Sequence, residues 1–207
     1  MSITINGTGT ITGISAGGLP DGSVTAADIE SSLDLTGKTV TLPSGTGGKI
    51  LQVVSTTYEG VGSVSTPPET FTDISGFSVS ITPSSTNSKV LLMVQVGRAG
   101  ANHGGARQVN FRLMRDSTAI AVPSAAAGSR VLASFSLSST DIPYNNNGGM
   151  TILDSPSTTS ATTYKVQMAT QVDNQAVRIN TAGNDGDSGD APYARTVSTI
   201  TAMEVAA

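Results

Sequence analysis

The feature that most constrains this chain is a period of two in its apolar residues, which returns again and again from Lys49 onward. Val90, Leu92, Val94 and Val96 share one face, with Leu91 and Met93 on the other. Val109, Phe111 and Leu113 alternate with Gln108, Asn110 and Arg112. Val131, Ala133, Phe135 and Leu137 do the same against Arg130, Ser134 and Ser136, and Tyr164, Val166 and Met168 against Lys165 and Gln167. Shorter strands are predicted at 50–56, within 71–81, at Val177 and Ile179, and over 196–205. Successive side chains of a strand point to opposite sides, so each such segment has one face to bury. About eight strands joined by turn-rich links predict an antiparallel β-sandwich over residues 49–207. The 90–96 strand is apolar on both faces, which requires a central position or contact with a second subunit.

Residues 1–48 follow a different rule. Met1 to Gly18 alternates Thr, Ile and Gly with almost nothing large enough to form a core. Leu19-Pro20-Asp21-Gly22 is a turn signal. Thr25-Ala26-Ala27-Asp28 fits a capping box, with Ile29 and Leu33 one turn apart, so one short helix is expected there. A helix of that length is marginal alone and needs a partner surface, for which copies from neighbouring chains are the natural choice. Residues 43–48, Pro-Ser-Gly-Thr-Gly-Gly, form the joint to the sandwich.

Composition narrows the function. Only 37% of residues are hydrophobic and Trp is absent, too little for a large monomeric core, while just 13% are charged, too few for a disordered acidic chain. A net charge of −4 with scattered Lys and Arg supplies no basic stripe for nucleic acid. No stretch approaches the ~20 apolar residues of a membrane-spanning helix, so membrane insertion is not expected. The chain has no cysteine, which removes disulfides, thiolate metal sites and a Cys nucleophile.

Motifs that carry chemistry elsewhere fail here on their context. Gly13-Ile14-Ser15-Ala16-Gly17 matches a nucleophile elbow, but the only His is His103 and the strand–turn–helix setting is missing. Gly45 to Lys49 has the flavour of a phosphate loop, yet Pro43 and Ile50 stand where Gly and Ser or Thr are required. The Asp185, Asp187, Asp190 loop has the carboxylates for a hard cation, but Thr196 occupies the place of the EF-hand Glu, and a solvated loop tip is the better reading. A lone His103 makes no transition-metal site within one chain, although three copies on a symmetry axis would bring three imidazoles together. No carboxylate pair stands out for acid–base work. The expectation is a protein without cofactor or catalytic residues.

The segment from Ile11 to Thr25 (Ile-Thr-Gly-Ile-Ser-Ala-Gly-Gly-Leu-Pro-Asp-Gly-Ser-Val-Thr), Leu35 to Pro43, and the closing Tyr193 to Val205 resemble the ends of tail-fibre and related virion proteins of tailed bacteriophages. The resemblance implies a homotrimer whose N-terminal segment attaches to another virion protein. It also implies a C-terminal jelly roll, similar to trimeric tumour-necrosis-factor-type heads, that faces the host. On that reading the polar loops between strong strands would meet a cell-surface glycan or protein. The candidate contacts are Arg98, Asn102, His103 and Arg107 in one loop, Tyr144, Asn145, Asn146 and Asn147 in a second, and Asp185, Asp187 and Asp190 in a third, all outside the strands. The alternative is a purely structural capsid-decoration or baseplate protein built on the same trimer. Which end of the sandwich each loop occupies is not encoded in the pattern.

Overall fold

A computed structural model describes residues 49–207 except 66, 106, 125–127, 140–144 and 172–174. The expected anchor, joint and short helix of residues 1–48, and Tyr144, lie outside the described residues. Among the described residues eleven strands follow one another: β1 Ile50–Tyr58, β2 Gly62–Val64, β3 Thr72–Ile81, β4 Lys89–Ala101, β5 Arg107–Arg115, β6 Thr118–Ile120, β7 Phe135–Ser139, β8 Asn146–Asp154, β9 Thr162–Ala169, β10 Val177–Ile179 and β11 Ser198–Val205. A single 3-10 turn, Ala191–Tyr193, interrupts the last connection. These strands lie within Gly48–Ala207, one of the two compact units into which the chain divides.

Their pairing reduces to eight rows. β10 and β11 lie in line along the same side of β4, the first opposite Ala99 and Ala101 and the second opposite residues 89–95, while β8 covers the other side of β4. β1 pairs with β11 and β2 with β10, so these two also form one row. β6 and β7 likewise share the side of β5 that β9 leaves open. Counted along the chain, the rows run 1-8-3-6 in one sheet and 2-7-4-5 in the other, all antiparallel. That is the strand order of a jelly roll, in which two Greek keys face each other. The expected all-β antiparallel sandwich is therefore what the chain forms.

The alternation read from the sequence turns the expected residues inward. Val90, Leu92, Val94 and Val96 are buried beneath Val109, Phe111 and Leu113 of the opposing sheet, with Phe77, Tyr164 and Met168 filling the space between. Phe111 stacks on Phe135 at 4.8 Å between ring centres, and Tyr58 on Phe77 at 5.5 Å. Burial and the neighbouring Asp154 carboxylate, which accepts the Tyr164 hydroxyl at 2.7 Å, push that phenol above its ordinary pKa.

The two outer faces differ. On the β3–β9–β5 sheet, Lys165 pairs with Asp73 at 2.5 Å, Gln167 donates to the same carboxylate, and Arg112 lies 3.7 Å over the Phe71 ring. The Lys165 hydrogen bond is the main cause that holds Asp73 below the usual carboxylate range. On the other sheet a register row joins Val53, Met203, Leu91 and Leu153 across four strands, and the next joins Ser55, Thr201, Met93 and Thr151. Val53, Met93 and Leu153 are 54%, 45% and 54% exposed. Across β1, β11, β8 and residues 89–95, Lys89 at the end is the one charged side chain turned outward among the described residues.

Several expectations needed correction. Val131 and Ala133 belong to no strand, because the β5–β7 ladder stops at the Phe111–Phe135 pair. There Ser134 closes the row: its N–H donates to the Phe111 carbonyl oxygen and its hydroxyl to that of Ile120. Four segments not foreseen as strands, β2, β6, β8 and the end of β4, are held by pairing with neighbouring backbone, and of these β8 adds Met150 and Ile152 packed against the core.

Candidate functional site

Jelly-roll connectivity sorts the loops between two ends, and β4, thirteen residues long, spans the distance of roughly 40 Å between them. One end holds Lys49 and Ala207 side by side, with the Lys49 ammonium donating to the Ala207 oxygen at 3.1 Å and Ala206 N–H to the Lys49 carbonyl at 2.7 Å. The other end gathers the β4–β5, β7–β8 and β9–β10 connections, and the long excursion from β10 to β11 docks beside them. All the described candidate residues lie here or on the strand ends that lead here.

Their placement corrects the sequence reading in detail. Arg98 is inside β4 and Arg107 opens β5, so the loop between them is residues 102–106. Arg98 is a strut: its guanidinium donates to the carbonyl oxygens of Pro192 and Ala194, each at 2.9 Å, and burial pulls its pKa below the ordinary arginine value. Asn102 donates its backbone N–H to the Ala176 carbonyl at 2.8 Å. Asn146 and Asn147 lie within β8, not in a loop, and the Asn146 side chain donates to the Ser138 carbonyl at 2.6 Å. Asn145 sits above Gly100 and donates to the Thr181 carbonyl at 2.9 Å. Gly100 is required at that point, because a Cβ there would stand 1.9 Å from the Asn145 side-chain oxygen.

Asp185 adopts a left-handed backbone, φ 54°, and is tied on two sides. It accepts the Thr181 hydroxyl at 2.7 Å and pairs with Arg195 at 2.9 Å. Asp190 accepts the Ser188 hydroxyl at 3.0 Å, and Asp187 stands exposed. Among the described residues no three His, Cys, Asp or Glu side chains converge as metal ligands, and Asp185 already has a cationic partner. The Asn145–Thr181–Asp185 chain of hydrogen bonds joins two loops that sequence alone left separate.

The remaining pair, His103 and Arg107, acts as one unit. His103 Nδ1–H donates to the Gly104 carbonyl, which leaves Nε2 as the acceptor for an Arg107 amino group at 3.1 Å. Beside them a polar cleft of about 230 Å³ opens among Arg107, Gln108, Ser138 and Gln171. Gln108 and Ser138 are register partners on β5 and β7, and Gln171 Oε1 accepts the Gln108 backbone N–H at 3.1 Å. Sequence reasoning missed these last three. The outward orientation of Gln108 was legible from alternation, but the register that sets Ser138 and Gln171 beside it was not.

No family model matches the chain, and no curated protein does. Among solved structures, a chain in "Structure of infectious bursal disease virus Gx strain" is similar at 18% identity and a TM-score of 0.26. The match covers 75% of this chain and 34% of that one, so the chain spans about a third of the length of its neighbour. Similarity at this level leaves the fold to rest on the strand order above and assigns no function.

Proposed function

We propose that this chain is a bacteriophage fibre subunit whose jelly-roll head forms a homotrimer and presents its loop end to the host cell surface. The observation that carries the reading is the polarity of the head. The candidate contact residues collect at one end of the sandwich, while Lys49, where the described chain starts, lies at the other. The chain therefore enters the head at the end opposite the loops. The resemblance of 11–25, 35–43 and 193–205 to virion fibre proteins supports the same reading.

The trimer contact is proposed for the face that carries the Val53–Met203–Leu91–Leu153 row. Exposed apolar side chains with scarcely a charge among them gain from burial against another copy, at roughly 25 cal/mol per Å² of apolar surface removed from water. A threefold ring closes without leaving such a patch open. Three heads bound together multiply a weak contact per head through effective concentration.

A second reading, a capsid-decoration or baseplate protein without a receptor, is favoured by one observation. Arg98, Asn145, Asn146 and Asp185 spend hydrogen bonds on holding the loop end together. Competition separates the two. Purified protein that slows phage adsorption to host cells supports the fibre reading. Protein that neither binds cells nor slows adsorption, while labelling places it on the particle, establishes the decoration reading.

A further inference from the structure

The cleft among Arg107, Gln108, Ser138 and Gln171 offers a particular chemistry. One guanidinium, two carboxamides and a hydroxyl line a space of about 230 Å³, the room of roughly eight waters at about 30 Å³ each and enough for one sugar ring. A planar guanidinium pairs with a planar carboxylate through two parallel hydrogen bonds, a match that a phosphate-binding lysine does not reproduce. Carboxamides and hydroxyls both donate and accept, which suits the mixed hydrogen bonding of a ring of hydroxyl groups. A bare inorganic anion would want donors alone.

The backbone of the lining and two of its side chains are also held before any ligand arrives. Gln108 and Ser138 stand on paired strands, Gln171 is held by the Gln108 backbone, and His103 takes one Arg107 N–H and so sets the direction of the guanidinium. A pre-ordered site loses less conformational entropy on binding. We propose that this cleft binds a carboxylate-bearing sugar residue, of the uronic acid class, with Arg107 on the carboxylate and Gln108, Ser138 and Gln171 on the ring hydroxyls. The proposal deepens the receptor-binding reading and rests on it for its biological setting, but the binding itself is measured separately.

The test uses the full chain and glucuronic acid as probe, with glucose as the uncharged control, followed by ligand-observed NMR. Glucuronic acid is expected to bind at millimolar concentration, with glucose at least about tenfold weaker because it lacks the charged partner for Arg107. Arg107→Gln is expected to weaken glucuronic acid by about tenfold or more. Ser138→Trp, an exposed strand position where an aromatic is well tolerated, fills the cleft while leaving residue 107 an arginine and is expected to abolish binding. Thermal melting of both variants guards against simple unfolding. Equal binding of glucuronic acid and glucose, no binding of either, or unchanged binding in Ser138→Trp overturns the proposal. Particles carrying Ser138→Trp then separate the two claims. Lost glucuronic acid binding with normal adsorption sinks the receptor role and leaves the site standing. Adsorption blocked by the wild-type protein, with no binding of glucuronic acid, does the reverse.

Discussion

Glu204 gives the sharpest test of how this sandwich is held at its Lys49 end. The side chain points inward from β11 and is fully buried, an arrangement that would strongly disfavour a charge without partners. Burial raises its pKa, but hydrogen bonds outweigh burial. Oε2 accepts Gln52 Nε2 at 2.6 Å, and Oε1 accepts both the N–H of Ser84 at 2.7 Å and its hydroxyl at 2.6 Å. The net result lowers the carboxyl from 4.5 to about 2. One carboxylate thereby ties β1, the turn after β3 and β11 together. A folded-state value below the unfolded one means that the ionised group stabilises the fold above about pH 4.5 and that this contribution disappears as pH falls toward 2. At full strength the shift corresponds to about 3 kcal/mol; Ser84 stands exposed and Gln52 half-exposed, so solvent screening reduces it to roughly 2 kcal/mol. Glu204→Gln keeps the shape and removes the charge. At pH 7 it is expected to lower stability by about 2 kcal/mol, or roughly 4–8 °C in melting temperature. Urea unfolding of both proteins at pH 7 and at pH 2.5 checks the argument, and the gap between them is expected to shrink at the lower pH. An equal gap at both pH values, or none at pH 7, would refute it.

Asn180 holds an unusual backbone, φ 65°, while its amide donates to the carbonyls of Tyr58 and Gly60 and accepts the Ser198 hydroxyl, so Asn180→Ala is expected to cost about 3 kcal/mol in chemical denaturation. Phe111→Ala, which empties the space against Phe135, is expected to cost about 3–5 kcal/mol by the same measurement. Gly100→Ala forces Asn145 off Thr181, and limited proteolysis near residues 140–147 is expected to accelerate several-fold while the β circular dichroism persists. Met93→Glu with Leu153→Glu places charge on the exposed row without disturbing the core; sedimentation is expected to show a folded monomer in place of a trimer, and an unchanged assembly would move the subunit contact elsewhere.

The parts of this fold that were legible in the sequence are those in which a segment carries its own evidence. Val109 to Leu113 and Tyr164 to Met168 alternate because each has one buried face, and each became a strand with that face inward; Val90 to Val96, apolar on both faces, became part of the central strand β4 with Val90, Leu92, Val94 and Val96 inward. β8 begins Asn-Asn-Gly-Gly, which reads as a turn, and is a strand because the β4 edge pairs with it from Gly148 to Asp154 and, past a register shift, again at Asn146. The same holds for Arg98 to Ala101, whose glycine serves a neighbouring side chain and whose ladder partner is β10, about eighty positions away. Conversely, Val131 and Ala133 alternate correctly but find no edge to join. The candidate site divided along the same line. The three loops were picked out by their polar residues, whereas their meeting at one end, the strut role of Arg98 and the grouping of Arg107 with Gln108, Ser138 and Gln171 depend on register between distant strands, which no local pattern records.

The place of β11 has a consequence for how such a head is made. Residues 198–205 fill the row between β1 and β4, so the sheet that starts with Ile50 cannot close until a segment about 150 positions later has been delivered. Pairings of such separation make folding slow, because a long loop must be ordered before any contact across it compensates. A polypeptide stalled just short of residue 198 would expose β1 as a lone ribbon and the 89–95 stretch of one edge of β4, and would be open to aggregation and proteolysis. Closure of this row also completes the uncharged outer face, which exists only once its middle strand is in place; on the proposed assembly, a truncated chain would lack the surface by which it could enter and spoil a trimer.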